Sequence, residues 1–563
     1  MNEFGSFASR TRIAYLCMEI ALRPEIHTYS GGLGILAGDT VRSCSDLGLP
    51  VVFITLMSRA GYFRQEIGPD GEQLERPDSW DPAAWARPLP AMVGVDIEDR
   101  CVWIRPWLYV HTNPKGEPLA VLLLDTDLEQ NDGRDRGLTH FLYGGDEAYR
   151  LKQEIVLGIG GVRVLDALGF NLNTYHLNEG HAALLTIELL RQFRRREAAG
   201  VAGGSAAAAA RVRDLCVFTT HTPVDAGHDR FGYDLVRRVA GDGIAIDELQ
   251  AYAGAERLDM TRLALNLCGY VNGVAQRHAE TTRAMFPGYD IQAITNGVHS
   301  ETWVHPSFAA LFEAQLPRWW HDPEMLVRAD QLSDDAVWAA HCDAKADLCR
   351  DVRDKTGGVF DPELPIIGFA RRMTGYKRPN LLFTDLDRLA AIANRHPFQM
   401  VIAGKAHPKD ASGKAVIRQL HDMARQLANK VSIAFLPNYD MNVAKSLVAG
   451  ADIWLNTPQP PLEASGTSGM KAALNGGLNL STLDGWWIEG CIDGVTGWSI
   501  DGRGRAGQAD ASALYDRLEL DVLPLYYEDR ARWIWMMKQA ICKIASYFNS
   551  QRMMRRYATE AYV

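Results

Sequence analysis

The sequence alternates between short apolar runs rich in β-branched residues and longer segments with helical periodicity. Such alternation is typical of parallel sheets covered by helices, because strands buried on both faces are apolar throughout. The runs form two series, separated by a charged, helical segment from about Trp303 to Pro365. The sequence therefore predicts an α/β protein with two Rossmann-like halves. The predicted strands are Ile13–Met18, Val51–Leu56, Thr174–Leu177, Leu215–Thr219 and Ile291–Thr295 in the first half, and Ile366–Ala370, Met400–Gly404, Val431–Leu436 and Ala451–Asn456 in the second.

We expect this pattern to divide into three domains. With 563 residues and 47% apolar content, the chain can bury a large core spread over two or three domains. The predicted domains are residues 1–303 and residues 304–517, each Rossmann-like, and residues 518–563, whose aromatic helices we expect to pack across the seam between the other two. The segment 198–210 is of low complexity, which indicates a flexible surface loop or a helix extension.

Composition argues against several classes of protein. The 69 acidic and 59 basic residues give a net charge of −10, which argues against a nucleic-acid binder. Since there is no apolar run of 18 residues and no basic segment followed by an apolar one at the N-terminus, we expect neither a membrane span nor a signal peptide. The nine cysteines are scattered without a CxxC pair, which indicates reduced thiols and no metal site. These features predict a cytoplasmic protein.

The segment Glu463–Lys471 (EASGTSGMK) concentrates candidate chemistry at one strand end. It follows the predicted strand Ala451–Asn456 and precedes Ala472–Gly477, which we expect to form a short helix. A strand, a loop of small residues and a helix N-terminus together form an anion site, because unpaired backbone N–H groups and the helix dipole point at one place. A lysine eight residues after a glutamate is otherwise typical of a solvated surface pair.

Two more motifs follow predicted strands. Tyr29–Gly34 is rich in glycine and leads into a helix, so that its backbone could approach a phosphate closely, although a tight turn explains the pattern equally well. Arg371–Arg378 contains four cations directly after a strand. These cations form either a solvated patch or an anion site, for which the arginine fork is well suited.

The histidine motifs do not indicate a metalloprotease. His176 and His181 are five residues apart, about 140° around a helix, and so do not share a face as the two histidines of an HExxH motif do. His221, in the polar turn Thr219–Pro223, is by itself typical of a hydrogen-bonded structural histidine.

The stretch EASGTSGMKAALNGG, residues 463–477, resembles the pyridoxal-phosphate segment of the α-glucan (glycogen, starch and maltodextrin) phosphorylases. The similarity extends from about Ala14 to about Glu489 and is densest over residues 364–489. It implies a GT-B type architecture, in which the two Rossmann-like domains face a central cleft. It also implies that Lys471 carries pyridoxal 5′-phosphate as a Schiff base.

The resemblance assigns roles to individual residues. It places Arg371, Tyr439, Thr467 and Ser468 around the cofactor, and Arg372 and Lys377 on the substrate phosphate. The implied catalytic residues are His221, Arg372, Lys377 and Lys471. Asn178 and His181 match the family pattern near the active site. The implied substrate ligands are Gly31, Gly32, Leu33, Gly34, His221, Asn296, Tyr376, Glu463, Ser465 and Gly466.

The chain also departs from the long phosphorylases. It has Thr374-Gly375 where they have His-Glu, and Trp486-Trp487 where they have Ala-Asn. Asp440 stands where they have an arginine, and an aspartate cannot bind phosphate as that arginine would. The chain is also shorter than the animal enzymes, so we expect a bacterial-type member without their nucleotide and phosphorylation control.

The implied reaction is phosphorolysis of the α-1,4 link at the non-reducing end of a glucan or maltooligosaccharide. Orthophosphate would be consumed, and α-glucose 1-phosphate would be released with retention of configuration. A homodimer is one expectation for the oligomeric state. Two alternatives stay open: a nucleotide-sugar glucosyltransferase resembling glycogen synthase, and a non-catalytic glucan-binding homologue. Lys471 distinguishes the first alternative, because a transferase needs no imine-forming lysine at that position.

Overall fold

The computed structural model describes residues 3–198, 205–501 and 508–563. Its contacts divide the chain into two compact units. Unit 1 consists of Met1–Phe63, Pro77–Ile294 and Met554–Val563, and unit 2 of Arg64–Arg76 and Thr295–Met553. Among the described residues, no helix combines the length and the apolar character that a membrane span requires.

The strands of the described residues, numbered in chain order, account for both sheets and two hairpin-like pairs. They are β1 Ile13–Leu16, β2 Val51–Leu56, β3 Arg64–Ile67, β4 Gln73–Arg76, β5 Arg87–Pro88, β6 Val93–Ile97, β7 Arg100–Thr112, β8 Pro118–Asp125, β9 Thr174–Asn178, β10 Cys216–Thr219, β11 Arg230–Gly232, β12 Arg257–Asp259, β13 Tyr270–Gly273, β14 Gln292–Ala293, β15 Ile366–Ala370, β16 Gln399–Ala403, β17 Ser432–Leu436, β18 Ile453–Asn456, β19 Leu478–Thr482 and β20 Gly497–Ile500.

The α-helices are numbered in the same way. They are α1 Glu3–Arg10, α2 Gly32–Asp46, α3 Gly133–Arg136, α4 Glu147–Ile155, α5 Gly161–Ala167, α6 Leu184–Ala198, α7 Ser205–Leu215, α8 Tyr233–Ala240, α9 Ile246–Ala253, α10 Met260–Leu267, α11 Gln276–Met285, α12 Ser300–Trp303, α13 Pro306–Gln315, α14 Asp334–Thr356, α15 Leu386–Arg395, α16 Ala411–Leu427, α17 Met441–Gly450, α18 Ser468–Leu474, α19 Trp487–Gly490, α20 Gln508–Arg517, α21 Leu523–Glu528, α22 Arg530–Ala540 and α23 Ser550–Arg556.

Unit 1 is built on one large sheet with the strand order β14-β13-β10-β9-β1-β2-β8-β7-β5, and β6 also pairs with β7. The strands from β14 to β8 run parallel, whereas β5, β6 and β8 pair with β7 in antiparallel fashion. The central strands are apolar and buried on both faces, as expected for a parallel sheet covered by helices. Leu16, Ile54 and Leu177 lie in the core of this unit.

Unit 2 is built on a fully parallel sheet with the order β17-β16-β15-β18-β19-β20. Its core joins β15, β16 and β18 to α14 through Ile366, Val401, Trp454 and Leu348. The antiparallel hairpin of β3 and β4 also belongs to this unit, although it comes from the first part of the sequence.

The predicted α/β class with two Rossmann-like sheets is confirmed, and each predicted strand overlaps an observed one. The strand predicted at Ile291–Thr295 shortens to the two residues of β14. The helix predicted at Ala472–Gly477 is wrong in its start, because α18 begins at Ser468 and ends at Leu474. Residues 199–204 of the low-complexity segment lie outside the described residues, and α7 begins at Ser205.

The contact-based units and the predicted domains are cut at different places. Contacts group residues 295–553 in unit 2 and residues 554–563 in unit 1, whereas the predicted boundaries lie after residues 303 and 517. The division into three folding domains stays a prediction.

Candidate active site

In unit 1, polar side chains gather where three neighbouring parallel strands end. Because β1, β9 and β10 lie side by side, the residues that follow them meet at one edge of the sheet. These residues are Glu19 after β1, Asn178 and Glu179 at the end of β9, and His221 after β10.

Glu19 organises the glycine-rich segment of unit 1. Its carboxylate accepts hydrogen bonds from the backbone N–H groups of Ser30 (2.6 Å) and Gly31 (3.0 Å) and from the hydroxyl of Tyr143 (2.8 Å). Helix α2 begins at Gly32, so the expected helix starts within the glycine-rich segment, and Gly32, Leu33 and Gly34 form its first turn. A Cβ added at Gly34 would lie 2.7 Å from the Cβ of Tyr29 and 2.6 Å from an oxygen of Glu19. Glycine is therefore required there by close approach.

Glu179 has a strained backbone at this edge. Its φ of 76° and ψ of 166° lie in a region that is otherwise almost confined to glycine. The strain is held by hydrogen bonds that its carboxylate accepts from the backbone N–H of His221 (2.8 Å) and the hydroxyl of Thr222 (2.9 Å). Such outliers cluster at functional sites, and this one fixes the turn that carries His221.

His221 is a neutral imidazole with one nitrogen left as an acceptor. Burial and, to a smaller extent, the neighbouring histidines lower its pKa to about 3. Its Nε2 lies 2.6 Å from Oδ1 of Asn178, while Nδ2 of Asn178 donates to Sγ of Cys17. Since Oδ1 can only accept, Nε2 carries the proton and Nδ1 can accept a hydrogen bond from a hydroxyl.

In unit 2, the basic segment after β15 converges on one carboxylate. Arg371 donates to Oε2 of Glu463 at 2.7 Å, and Nζ of Lys377 forms an ion pair with the same oxygen. The ammonium group of Lys377 also lies 4.6 Å from the centre of the Tyr376 ring. The solvated-patch interpretation is therefore wrong for Arg371 and Lys377, which are largely withdrawn from solvent.

The pKa values of this cluster follow from two cations beside one carboxylate. Burial and, to a smaller extent, the nearby Arg371 lower the pKa of Lys377 to about 8, although Glu463 opposes the shift. Burial would raise the pKa of Glu463, but Lys377 and Arg371 outweigh burial and lower that pKa to about 2. The carboxylate is therefore ionised at neutral pH, and the cluster keeps an excess of positive charge.

Two arginines leave donors for an anion. Nε and Nη1 of Arg371 are buried and have no hydrogen-bond partner among the described residues. Buried guanidinium nitrogens without partners are costly, so they mark a place where a ligand completes the site. Arg372 is exposed, and its side chain forms no ion pair within the part of the chain that the structure describes.

The loop that carries Glu463 is fixed by the segment after β19. Asp484 accepts hydrogen bonds from the backbone N–H of Glu463 (2.8 Å) and from that of Gly485 (2.9 Å). The N–H of Trp486 donates to the carbonyl of Ser465 at 3.0 Å. Gly485 has a φ of 53°, and a Cβ at this position would overlap the Ser465 carbonyl, so the close approach of the two segments depends on glycine.

Lys471 lies inside α18 and is buried. Its Nζ lies 3.7 Å from the centre of the Trp303 ring. Asn475 fixes the helix end by donating to the carbonyls of Lys471 and Trp303, both at 2.9 Å. Thr467 is the N-cap of α18, and the hydroxyl of Ser468 accepts from the Trp454 indole N–H at 3.0 Å.

The other predicted ligands in unit 2 are Asn296, Tyr376, Tyr439, Ser465 and Gly466. Asn296 is buried, and its Oδ1 has no hydrogen-bond partner among the described residues, which leaves it able to accept from a hydroxyl. Burial raises the pKa of Tyr376 to about 12 and also raises that of Tyr439. Ser465 is buried, and Gly466 has a φ of 75° that favours glycine.

Asp440 has a structural role at the position where the long phosphorylases carry an arginine. Its side chain caps α17 by accepting from the N–H of Val443 at 2.9 Å. It thus stabilises a helix N-terminus.

The structure divides the predicted site residues between the two units. Gly31, Gly32, Leu33, Gly34, Asn178, His181 and His221 belong to unit 1, and the other predicted site residues belong to unit 2. Sequence reasoning missed three carboxylates that hold the site, namely Glu19, Glu179 and Asp484. An acidic residue beside a glycine motif was the available signal for Glu179 and Asp484, whereas Glu19 carries no local signal.

Parallel sheets with anion and hydroxyl ligands at their strand ends are typical of nucleotide and sugar-phosphate enzymes. Two such units define a GT-B type glycosyltransferase architecture. A family profile described as carbohydrate phosphorylase matches residues 226–493. The chain belongs to the carbohydrate phosphorylase family.

Individual relatives extend this match over nearly the whole chain. The maltodextrin phosphorylase of Thermococcus litoralis is 39% identical over an alignment that covers 98% of this chain and 70% of that protein. The glycogen phosphorylase of Mycobacterium tuberculosis is 38% identical, with 98% and 71% covered. An uncharacterised protein of Methanocaldococcus jannaschii is 30% identical and is matched over 99% of its length.

Proposed function

We propose that the protein is an α-1,4-glucan phosphorylase. It transfers the non-reducing-end glucose of an α-glucan or maltodextrin to orthophosphate and releases α-glucose 1-phosphate with retention of configuration. The observation that carries the proposal is the cation cluster of unit 2, in which Arg371 and Lys377 share Glu463 while Arg371 and Arg372 keep donors for an anion.

The cluster is suited to bind phosphate groups beside a sugar. Three cations, Arg371, Arg372 and Lys377, stand against Glu463, and an excess of positive charge remains when Asp484 is counted. Bound phosphate oxygens can replace Glu463 on Lys377 and Arg371, which frees the carboxylate to accept hydrogen bonds from sugar hydroxyls. In this role Arg372 and Lys377 hold orthophosphate and stabilise its charge as the glycosidic bond breaks.

The residues present fit pyridoxal 5′-phosphate. Lys471 is a buried amine that would hold the cofactor covalently, and Arg371 offers two buried nitrogens to its phosphate. Thr467 and Ser468, at the N-terminus of α18, and Tyr439 would complete its surroundings. When bound, the cofactor would supply a phosphate group that exchanges a proton with the substrate phosphate.

The sugar ligands are assigned within each unit. In unit 1, Nδ1 of His221 would accept from a glucose hydroxyl, and the backbone of Gly31, Gly32, Leu33 and Gly34 would approach the glucosyl unit and its phosphate. In unit 2, Oδ1 of Asn296, the hydroxyl of Tyr376, the carboxylate of Glu463 and the residues Ser465 and Gly466 would contact further hydroxyls.

The reaction itself is the first test. Purified protein with maltoheptaose and orthophosphate should release α-glucose 1-phosphate, and with α-glucose 1-phosphate and a maltooligosaccharide primer it should release orthophosphate. Transfer of glucose from a nucleotide sugar without any phosphate-dependent product would favour the synthase-like alternative. Binding of glucan with neither reaction would favour a non-catalytic protein.

Two arginines of one segment provide a matched pair of variants. Arg372→Ala should lower turnover by about 10²–10³, the usual effect of removing one preorganised charge from an anion site. Arg378 instead donates to the carbonyls of Thr457 and Pro458, both at 2.8 Å, and pairs with Asp510. Arg378→Ala should therefore lower thermal stability and leave the KM for orthophosphate within about twofold. Equal losses of turnover in both variants would contradict this assignment.

The cofactor is tested by reduction. Borohydride treatment followed by peptide mapping should find a pyridoxyl group on residue 471. A pyridoxyl group on another lysine, or none, would contradict the role of Lys471.

A further inference from the structure

The hairpin of β3 and β4 brings a piece of the early sequence into unit 2. Residues Arg64–Arg76 belong to unit 2 by their contacts, although the rest of that unit begins at Thr295. The flanking residues Phe63 and Pro77 belong to unit 1. None of the predicted site residues lies in this hairpin.

Two glutamines of the hairpin are almost completely buried. Gln65 on β3 is 2% exposed and Gln73 on β4 is 6% exposed, and Nε2 of Gln65 donates to Oε1 of Gln73 at 2.9 Å. Glutamine is seldom buried, because its amide costs free energy unless each polar atom finds a partner. A buried glutamine pair therefore indicates specific partners.

Nε2 of Gln73 donates to the Glu75 carboxylate at 2.7 Å, and the other partners of the two side-chain amides are backbone groups in the segments that follow two strands. After β16, Gln65 donates to the carbonyl of Gly404 at 2.8 Å, while Gln73 both donates to and accepts from the backbone of Ala406, at 2.9 Å each. After β17, the N–H of Gln65 donates to Oδ1 of Asn438 at 3.0 Å, and the N–H of Asn438 donates back to Oε1 of Gln65 at 2.9 Å. The network is fully connected, and such networks specify one geometry.

The segment after β16 lies directly against the basic segment. The N–H of Arg371 donates to the carbonyl of Ala403 at 3.2 Å, and the N–H of Met373 donates to that of Lys405 at 3.0 Å. A Cβ at Gly404 would overlap the carbonyl oxygen of Arg371. A shift of residues 403–406 would therefore move Arg371.

The segment after β17 carries another predicted cofactor residue. Asn438 has a φ of 54° and directly precedes Tyr439. Asparagine adopts this left-handed region more readily than most residues other than glycine, and the two hydrogen bonds to Gln65 hold it there. The hairpin thus fixes the backbone beside both Arg371 and Tyr439.

We propose that the hairpin Arg64–Arg76 is a positioning element of the anion site, in which Gln65 and Gln73 fix the segments 403–406 and 438–439 and thereby hold Arg371 and Tyr439 in place. Neither glutamine is assigned a contact with substrate or cofactor, so both are positioning residues. This inference rests on the proposed function.

The test compares Gln65→Leu and Gln73→Leu, which keep side-chain size and remove the amide, with Glu66→Gln. Glu66 is a matched control, because among the described residues its carboxylate pairs only with Arg64 and Arg76, on the exposed face of the same hairpin. In each leucine variant the affinity for pyridoxal phosphate, measured by fluorescence titration, should fall about tenfold. The KM for orthophosphate should rise by a similar factor, while the KM for maltoheptaose stays within about twofold.

A purely structural hairpin would give a different result. Lower melting temperatures with unchanged affinity for pyridoxal phosphate and unchanged KM for orthophosphate would overturn the proposal. If the leucine variants do not fold, Asn438→Gly replaces them, since glycine adopts φ of 54° without strain and loses only the acceptor of the Gln65 N–H. That variant should weaken cofactor affinity by about threefold, and an unchanged affinity would overturn the proposal.

The wild-type protein separates this inference from the proposed function. Pyridoxal phosphate binding without phosphorolysis would remove the proposed reaction, while the variants would still report on the hairpin. If the wild type binds no pyridoxal phosphate and carries out no phosphorolysis, both proposals are wrong.

Discussion

Lys377 gives the sharpest prediction, because its ionisation lies within the range in which an enzyme can be assayed. Burial, with Arg371 beside it, lowers its pKa from the ordinary 10.5 to about 8. That difference corresponds to roughly 3 kcal/mol against the protonated form. Because only the ammonium form holds an anion, the site should lose its affinity for phosphate as the pH rises through about 8.

The expected pH profile follows directly. In the free enzyme about a tenth of Lys377 remains protonated one pH unit above its pKa, so kcat/KM for orthophosphate should fall about tenfold for each unit above pH 8. A bound phosphate dianion favours the ammonium form, so the break in kcat should lie at higher pH than the break in kcat/KM. The assay is the initial rate of α-glucose 1-phosphate release from maltoheptaose, with orthophosphate well below its KM, between pH 6.5 and 9.5.

Lys377→Arg is the matched variant, because a guanidinium stays charged throughout this range. The pH profile of kcat/KM for this variant should have a lower plateau, because the guanidinium contacts the anion with a different geometry. The profile should show no break near pH 8. The ionisation of orthophosphate is common to both proteins and so cancels in the comparison. A break at the same pH in both proteins, or a flat wild-type profile, would refute the assignment to Lys377.

Two further predictions concern residues that hold the site. Burial raises the pKa of Asp484 to about 6, and only the ionised carboxylate accepts fully from the N–H groups of Glu463 and Gly485. The value of kcat/KM for maltoheptaose should therefore decline below about pH 6. The variant Asp484→Asn should remove that break. If the break persists in Asp484→Asn, another group causes it. Asp440→Ala should lower the free energy of unfolding by about 1 kcal/mol, because the cap of α17 is lost, and should leave the KM for orthophosphate unchanged. A changed KM for orthophosphate would place Asp440 in the anion site.

The sequence predicted the sheets well because their signal is local. Ile366–Ala370 has no polar side chain and Val51–Leu56 has only Thr55, and both runs match observed strands at both ends. The start of α18 was missed because Ser468 and Gly469 are weak helix formers, although in the structure they form the first turn of α18. Local propensity could not anticipate that tertiary constraint.

The site was predicted in its ligands but not in its supports. Arg371, Lys377 and Glu463 stand out by motif, yet their mutual pairing depends on contacts between segments that are far apart in the sequence. The hairpin could be expected from Asp70-Gly71 between two polar strands. Its place in unit 2 could not be expected, because it depends on contacts with residues far away in the sequence. Asp440 was interpreted only as a missing arginine, although an aspartate before a helix is also an N-cap signal.

The most direct test of the central claim is a phosphorus NMR spectrum of the protein incubated with maltoheptaose and orthophosphate. We predict that the orthophosphate signal will decrease while a signal of α-glucose 1-phosphate grows, with the α anomer as the only sugar phosphate and with no growth in an Arg372→Ala sample over the same time. An unchanged orthophosphate signal at high protein concentration, or formation of the β anomer, would contradict the assignment of this protein as a retaining α-glucan phosphorylase.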